Sequence, residues 1–396
     1  MDAGAHSSSP GLADSLERLG TETAFSVLAR ARELEREGRE VIHLEIGEPD
    51  FDTPLHIREA AAAALRAGET HYCPSAGIPE LREEAARYLS TSRSVSVDPA
   101  NVLVGTGAKP FLFFTILATC NPGDEVVYPD PGFPIYESAI RWAGATPVAL
   151  PQLEERDFAF DIADLESRLS PRTKLVILNS PQNPTGGALS PEETETAAAL
   201  LADSGAWVLS DEVYSQMVYD GEFASVASHP GLLERTSLLD GLSKTYAMTG
   251  WRCGFAAVPE PLVDPLVRFF VNSTSCVPPF VQLAGVAALS GPQDEPRAMV
   301  EEFRARRELV VAGLNELPGV SCRVPRGAFY AFPNVAEVPV DADVLADRLL
   351  QEAGVAVLAG SAFGRAGADN LRISYANSRE NLARALERMG DFLEAL

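Results

Sequence analysis

Apolar residues recur along the chain at two spacings, and each spacing predicts a different kind of element. Between about residues 23 and 38 they fall three and four positions apart on a charged background, which predicts an amphipathic helix. The stretch VIHLEI at 41–46 then predicts a strand, and two more helices are predicted at about 55–67 and 78–90. The chain is therefore expected to begin with helices around one short strand.

Short, continuous apolar runs dominate the middle of the chain. Such runs are typical of strands that are buried on both faces, and the segments between them are long enough for crossover helices. The pattern predicts an α/β fold in which helices flank a mostly parallel sheet. The predicted strands are NVLVGTG (101–107), DEVVYP (124–129), ATPVAL (145–150), KLVILN (174–179), AWVLS (206–210), TSLLDG (236–241) and CGFAAV (253–258).

The pattern changes after about residue 290. A long charged helix is predicted at 299–317 and another near 341–353, with short strands around them, which indicates a smaller α+β domain. We predict that residues 1–46 form an N-terminal arm and part of the small domain, that 47–290 form the large domain, and that 291–396 form the small C-terminal domain. The first 20 residues are expected to be loosely ordered.

Composition narrows the class of protein. The 396 residues are 46% hydrophobic and 22% charged, as in an ordinary globular enzyme, and the net charge of −24 opposes binding to nucleic acid or to an anionic membrane surface. The five scattered cysteines form no metal-binding pattern and favour a reducing compartment. With neither a signal-like start nor an apolar run of membrane length, we expect a cytoplasmic protein without a metal site.

Lysine is nearly absent from the chain. Of the 32 basic side chains only Lys109, Lys174 and Lys244 are lysines, and the others are arginines. An amine can lose its proton and act as a nucleophile, whereas a guanidinium cannot. At least one of the three lysines is therefore a candidate for such chemistry, with a solvated surface charge as the competing interpretation for each.

Polar residues follow several of the predicted strands directly. Asp211 and Tyr214 come after AWVLS, Asn183 lies in the loop NSPQNPTGG after KLVIL, and Lys244 follows TSLLDG. The carboxyl ends of parallel strands are where open α/β sheets bind ligands. An ordinary turn remains an alternative for the Asn183 loop, and capping of a following helix remains one for Asp211.

The segment GTGAKP resembles a phosphate-binding turn. It follows a predicted strand and precedes a helix, whose first amides can face an anion. It matches neither the dinucleotide GxGxxG pattern nor the P-loop, so a purely structural turn is an equal alternative for this segment alone.

Together these segments resemble a known family. In order and spacing the chain resembles the fold-type I pyridoxal-phosphate aminotransferases of class I/II, which include aspartate, alanine and aromatic aminotransferases. The resemblance extends over nearly the whole length, and the segments that carry it are IGEPDFDTP, HYCPSAGIPELREE, GTGAKP, PGDEVVYPDPGFPIYES, NSPQNPTGG, SDEVYS, GLSKTYAMTGWRCG, GAFYAFP and LRISYA.

The resemblance implies roles for individual residues around pyridoxal 5'-phosphate. Lys244 matches the Schiff-base lysine, which also acts as general base, and Asp211 matches the carboxylate that keeps the pyridine nitrogen protonated. Asn183 and Tyr214 match the residues that hydrogen-bond the ring hydroxyl oxygen, and Phe133 matches the aromatic residue on the ring face. The implied phosphate ligands are the backbone of Gly107, Ala108 and Lys109, the side chains of Ser243 and Arg252, and Tyr72 of the partner subunit, which implies a homodimer.

The resemblance also implies a substrate site. Arg372 matches the arginine that binds the substrate α-carboxylate, and the backbone of Gly47 lies beside it. Lys109 matches a lysine that reads a distal carboxylate in some bacterial aspartate aminotransferases, although Glu22 departs from that subgroup. Phe25, Phe113 and Phe114 offer the alternative of a pocket for a larger or aromatic side chain, with core packing as the competing interpretation for the last two.

The implied function is an aminotransferase. It would move an amino group between an L-amino acid and a 2-oxo acid by a ping-pong mechanism through pyridoxamine phosphate, with an aspartate- or glutamate-type donor favoured. A pyridoxal-phosphate lyase or a β/γ-elimination or replacement enzyme on the same scaffold is the alternative. A transcription regulator with an aminotransferase-like domain is disfavoured, because the roughly 45 residues before IGEPDF leave no room for a DNA-binding module.

Overall fold

The computed structural model describes residues 11–396. Its helices follow the periodicity of the sequence, and the second predicted helix, 55–67, has the observed bounds. The α-helices are α1 (Thr23–Arg36), α2 (Leu55–Ala67), α3 (Pro79–Arg93), α4 (Lys109–Thr119), α5 (Ile135–Trp142), α6 (Ile162–Arg168), α7 (Pro191–Ser204), α8 (Leu242–Thr245), α9 (Glu260–Ser273), α10 (Pro279–Ser290), α11 (Asp294–Leu314), α12 (Ala342–Arg348) and α13 (Arg379–Glu394).

The strands match the predicted apolar runs to within a residue or two, except for the first and for the glycine turn after 101–105. They are β1 (Ile42–His43), β2 (Val102–Gly105), β3 (Glu125–Asp130), β4 (Thr146–Pro151), β5 (Thr173–Asn179), β6 (Trp207–Asp211), β7 (Thr236–Gly241), β8 (Gly254–Ala257), β9 (Tyr330–Ala331), β10 (Val355–Ala356), β11 (Leu358–Ala359) and β12 (Leu371–Ser374).

A seven-stranded sheet organises the larger part of the molecule. Its strand order is β2-β8-β7-β6-β5-β3-β4, and all neighbours are parallel except β8, which is antiparallel to both β2 and β7. Val208 and Leu209, adjacent in β6, belong to different hydrophobic clusters, as do Leu238 and Leu239 in β7. Because side chains alternate between the two faces of a strand, both faces of the sheet are covered, and the predicted α/β architecture is confirmed.

A smaller part is built around the three-stranded antiparallel sheet β11-β12-β9 and the two-stranded parallel pair β1-β10. Its core joins Ile42 and Leu44 near the start of the chain to apolar residues of α11 and α13 near the end. The predicted division at residues 46 and 290 stays a prediction.

The predicted strand at 41–46 is shorter than expected. Only Ile42–His43 is regular strand, and the carbonyl of Leu44 still pairs with the Ser374 amide. The carbonyls of Glu45 and Gly47 instead accept hydrogen bonds from buried side chains. The strand pairing therefore ends where the backbone carbonyls instead accept hydrogen bonds from side chains of the cavity described below.

The prediction for the N-terminal 20 residues falls into two parts. Residues 1–10 lie outside the described residues, whereas Asp14–Arg18 form a 3₁₀-helix and the Gly20 amide donates to Ser138 Oγ at 2.9 Å. This second half of the segment is thus ordered against α5, contrary to the expectation. None of the helices in the described range combines the length and the apolar character of a membrane span.

Candidate active site

A cavity of about 470 Å³ lies at the carboxyl ends of β5, β6 and β7. It collects residues from both parts of the molecule because the loop after β1 and strand β12 reach over the edge of the large sheet. Of the thirteen site residues predicted from the sequence, eleven line this cavity: Gly47, Ala108, Lys109, Phe133, Asn183, Asp211, Tyr214, Ser243, Lys244, Arg252 and Arg372.

The other two predicted residues lie elsewhere. Gly107 does not line the cavity but is adjacent to Arg252, which does. Tyr72 is 91% exposed. Lys174 is exposed at the start of β5, as expected of a solvated charge.

Lys244 projects into the cavity from the short helix α8, which follows β7. Its Nζ donates to the Gly47 carbonyl at 2.5 Å and lies 5.8 Å from the ring centroid of Tyr214. Burial, together with the positive charge of Arg372, lowers the pKa of Lys244 to about 8. A sizeable fraction of this amine is therefore neutral near neutral pH.

Asp211, the last residue of β6, is buried in the wall of the cavity. Its Oδ2 accepts a hydrogen bond from the Tyr136 hydroxyl at 2.7 Å. Burial raises the pKa of the carboxyl to about 6, and the bond from Tyr136 opposes this rise. Turns rather than a helix follow Asp211, so the helix-capping alternative was wrong.

Arg372 enters the cavity from β12 with only 3% of its surface exposed. Its Nη1 donates to Asn183 Oδ1 at 3.1 Å and its Nη2 donates to the Glu45 carbonyl. The guanidinium lies between the rings of Tyr330 and Phe363, 4.8 Å from each centroid. Among the described residues its Nε has no hydrogen-bond partner, so a buried donor remains for an anion.

Tyr214 and Asn183 complete the inner wall. The Tyr214 and Tyr330 hydroxyls are 2.8 Å apart, and burial raises the pKa of both phenols. The backbone amide of Asn183 donates to Asn179 Oδ1 at 3.1 Å, which fixes the loop predicted from its prolines and glycines. The turn and the binding interpretations of this loop are thus compatible.

A cationic cradle lies beside Lys244. Arg252 donates to the carbonyls of Thr249 at 2.9 Å and Thr106 at 3.3 Å, so its guanidinium lies against the loop that precedes α4. A Cβ atom at Gly107, whose φ is +89°, would stand 2.5 Å from Arg252 Nη2. The positive φ of Gly107 favours glycine at this position, and the guanidinium faces the same space as the first turn of α4.

Lys109, the first residue of α4, lies at the edge of the cavity. Its Nζ donates to Glu22 Oε2 at 2.7 Å and stands 5.2 Å from the Phe133 ring centroid. Phe25 lines the cavity and is 61% exposed. Phe114 instead stacks on Phe269 at 4.9 Å between centroids, which supports core packing for this residue.

Sequence reasoning missed three contributors. Tyr136 and Tyr330 are buried aromatic residues inside the quoted segments PIYES and GAFYAFP, and Phe363 lies in none of the quoted segments. Their apolar neighbours mark them only as core residues. A tyrosine that is fully buried needs a partner for its hydroxyl, and this requirement is the one signal that could have marked the first two.

The sequence and structure were compared with known proteins. The family model "Aminotransferase class I and II" matches residues 39–389. The aspartate/prephenate aminotransferase of Cereibacter sphaeroides is 41% identical over 399 residues, covering 97% of this chain and 99% of that protein. The aspartate aminotransferase of Geobacillus stearothermophilus is 38% identical over 391 residues, again covering 97% of this chain and 99% of the relative.

Solved structures agree over the same length. The aspartate aminotransferase from Rhizobium meliloti superposes with a TM-score of 0.92 at 38% identity, covering 98% of this chain and 99% of that one. The aspartate aminotransferase from Thermus thermophilus with maleate also gives a TM-score of 0.92 at 38% identity, covering 98% and 100%. The resemblance inferred from the motifs is thereby confirmed, and the chain belongs to the class I and II aminotransferase family.

Proposed function

We propose that this aminotransferase uses pyridoxal 5'-phosphate and moves an amino group between an L-amino acid and a 2-oxo acid in two half-reactions of a ping-pong cycle. One observation carries the proposal. Lys244, with its pKa lowered to about 8, shares a cavity with the buried carboxylate of Asp211 and with Arg372, whose Nε has no hydrogen-bond partner in the described part of the chain. An amine, a carboxylate and an anion site are the groups that such chemistry requires.

The cavity fits this cofactor. The cradle of Arg252, Ser243 and the α4 N-terminus presents positive charge and donors to a phosphate, and the positive φ of Gly107 favours glycine in the turn before α4. Asp211 offers a carboxylate to a ring nitrogen, and Phe133 supplies an aromatic wall. Lys244 supplies the amine for covalent attachment.

When bound, pyridoxal phosphate supplies an electron sink for the bond that breaks at the substrate α-carbon. In its neutral form, the amine of Lys244 would accept the substrate α-proton at Nζ and could donate it again. Asp211, ionised above pH 6, stabilises positive charge on the ring nitrogen. Asn183 and Tyr214 would hold the cofactor by hydrogen bonds to its ring hydroxyl oxygen.

Arg372 is the proposed site for the substrate α-carboxylate. Within residues 11–396 its buried charge has no carboxylate partner, and such a charge is costly unless an anion pairs with it. The contacts with Asn183 and with the Glu45 carbonyl hold the fork in place before substrate arrives. The backbone of Gly47, which also lines the cavity, would lie beside the bound carboxylate.

The side chain of the donor is proposed to be that of aspartate or glutamate. Lys109 at the edge of the cavity supports this class, as do the relatives whose printed names include aspartate aminotransferase. Glu22 competes for the Lys109 ammonium at 2.7 Å, so a distal carboxylate must displace or share it. Phe25 on the same wall favours aromatic donors as the competing choice.

A homodimer with shared active sites is proposed for the assembly. The supporting observation is Tyr72, whose side chain is 91% exposed and is thus available to another subunit. We further propose a cytoplasmic enzyme whose partners are small molecules. The net charge of −24 disfavours nucleic acid and anionic membranes as partners.

The test is a half-reaction. Adding one amino acid without any 2-oxo acid to the holoenzyme should bleach the visible band of the Lys244-bound cofactor stoichiometrically, and adding a 2-oxo acid should restore it. A band that persists while ammonia or a side-chain fragment is released would assign the lyase or elimination alternative. Lys244→Ala serves as the control, because it should lack the covalent band while keeping the fold.

A further inference from the structure

A buried ionic cluster lies directly behind the cavity. Arg93, the last residue of α3, has a fully buried side chain. Its Nε donates to Glu212 Oε2 at 2.9 Å, and its Nη2 donates both to Ser215 Oγ at 2.8 Å and to Asp240 Oδ2. One guanidinium fork therefore joins three chain segments that are far apart in sequence.

The carboxylates of the cluster are fully bonded. Glu212 Oε1 accepts hydrogen bonds from Ser210 Oγ at 2.9 Å and Ser225 Oγ at 2.5 Å, and Asp240 Oδ1 accepts from the Gly241 amide at 2.6 Å. Burial raises the pKa of both carboxyls, and the charge of Arg93 opposes this rise. With both carboxylates ionised the cluster carries one net negative charge.

The cluster is placed where the two strands meet the cavity. Glu212 directly follows Asp211 at the end of β6, and Asp240 lies in β7 four residues before Lys244. The strands are paired there, with Asp211 opposite Leu239 and the Glu212 amide bonded to the Leu239 carbonyl at 2.9 Å. The Arg93 fork thus holds together the two strand ends from which Asp211 and Lys244 project.

Stability alone does not explain such a cluster. A buried ion pair commonly contributes no more than apolar side chains of the same volume would, because the charges must be desolvated. Fixed, directional bonds do, however, specify geometry, and a misplacement of about 1 Å in an active site reduces rates substantially. The rings of Tyr88 and Phe223, each 5.3 Å from the guanidinium, further confine the fork.

We propose that Arg93 is a positioning residue: its fork to Glu212 and Asp240 sets the spacing and the local field of Asp211 and Lys244. The inference rests on the proposed function, in which these two residues both act on one cofactor. Arg93 touches neither cofactor nor substrate in this scheme and acts through the strand ends.

The test compares Arg93→Met with Arg307→Met. Arg307 is a matched control, because it is 5% exposed, pairs with Asp220, donates to the Pro325 carbonyl at 3.0 Å and lies in the small part. For each variant we would measure the thermal unfolding of the cofactor-free protein and, by calorimetry, the dissociation constant of pyridoxal phosphate. We would also measure kcat, the KM of the amino donor, and the acidic limb of the pH profile of kcat.

Both variants should lose thermal stability. Arg93→Met alone should weaken cofactor binding and lower kcat, each by roughly tenfold, while the KM of the amino donor stays within about threefold because Arg372 is untouched. The acidic limb of the kcat profile of Arg93→Met should move to higher pH. Without the charge of Arg93, the carboxylates of Glu212 and Asp240 raise the pKa of Asp211 further. If the dissociation constant of pyridoxal phosphate, kcat and KM of Arg93→Met lie within about twofold of those of Arg307→Met, and the acidic limbs of the two variants coincide, Arg93 has only a structural role.

A second variant covers the case in which Arg93→Met does not fold. Arg93→Lys keeps the positive charge but loses the forked hydrogen bonds to Glu212 and Asp240. The acidic limb of its kcat profile should therefore stay at the pH of the parent enzyme, whereas kcat itself should still fall. A kcat equal to that of the parent enzyme would overturn the geometric role. Failure of the parent chain to bind pyridoxal phosphate would refute the proposed function, whereas normal binding with a silent Arg93→Met refutes only the positioning role.

Discussion

Lys244 in the cofactor-free protein should lose its proton at a much lower pH than an ordinary lysine does. Burial in the cavity wall lowers its pKa from 10.5 to about 8, and the nearby charge of Arg372 acts in the same direction. At pH 7 a pKa of 8 leaves roughly 10% of the amine neutral, against roughly 0.03% at a pKa of 10.5. The neutral fraction is thus roughly 300-fold larger than in an unperturbed lysine, so Lys244 should react faster at pH 7 than a lysine of equal access whose pKa is not shifted.

The same shift affects stability. Between pH 8 and 10.5 the unfolded chain holds a proton on Lys244 that the folded chain has released, so the free energy of unfolding rises with pH across this window. The full penalty, at most about 3 kcal/mol, is present only below pH 8. It belongs to the cofactor-free protein, in which the amine has no covalent partner.

The assay uses the scarcity of lysine. Trace acetylation at a series of pH values, followed by peptide mass spectrometry, reports on all three lysines in one sample. Lys174, exposed at the start of β5, is the internal reference, and Arg372→Met should move the Lys244 midpoint to higher pH because a like charge is removed. A Lys244 midpoint that coincides with that of Lys174 would refute the reasoning from burial.

Three further outcomes are expected. Glu22→Gln removes the carboxylate that pairs with Lys109 and should raise kcat/KM for a dicarboxylic donor, relative to an aromatic donor, by roughly fivefold. The limit follows because a partly exposed ion pair contributes at most about 1 kcal/mol. An unchanged ratio of the initial rates with the two donors would argue against a distal-carboxylate site. Arg372→Lys should lower kcat/KM roughly 100-fold for every amino donor, since a lost charge-assisted fork costs about 3 kcal/mol; a loss limited to one donor would contradict a role in binding the shared α-carboxylate. Tyr136→Phe removes the hydroxyl that lowers the pKa of Asp211, so that pKa should rise above about 6 and the acidic limb of the pH profile of kcat should move to higher pH. An acidic limb at the same pH as in the parent enzyme would show that ionisation of Asp211 does not control kcat.

The sequence by itself determined the framework of this protein. Short continuous apolar runs separated by segments of crossover length favour strands covered on both faces, so the order of elements and the mostly parallel sheet follow from the pattern. Polar residues placed immediately after such runs must meet at one edge of the sheet, and Asp211, Asn183 and Lys244 do so. The motifs around them indicated the family, because several segments agreed in both order and spacing.

Only the tertiary structure decided which side chains meet across that edge. The hydroxyl of Tyr136 on Asp211, the ring of Tyr330 on Arg372 and the contact of Glu22 with Lys109 all join elements that are distant in sequence. Local spacing sets the face on which a residue lies but not its partner on another element. Arg93 is an example. In the sequence it is one of several basic residues on α3, and only the packing of the folded chain shows that its charge is buried between two strand ends.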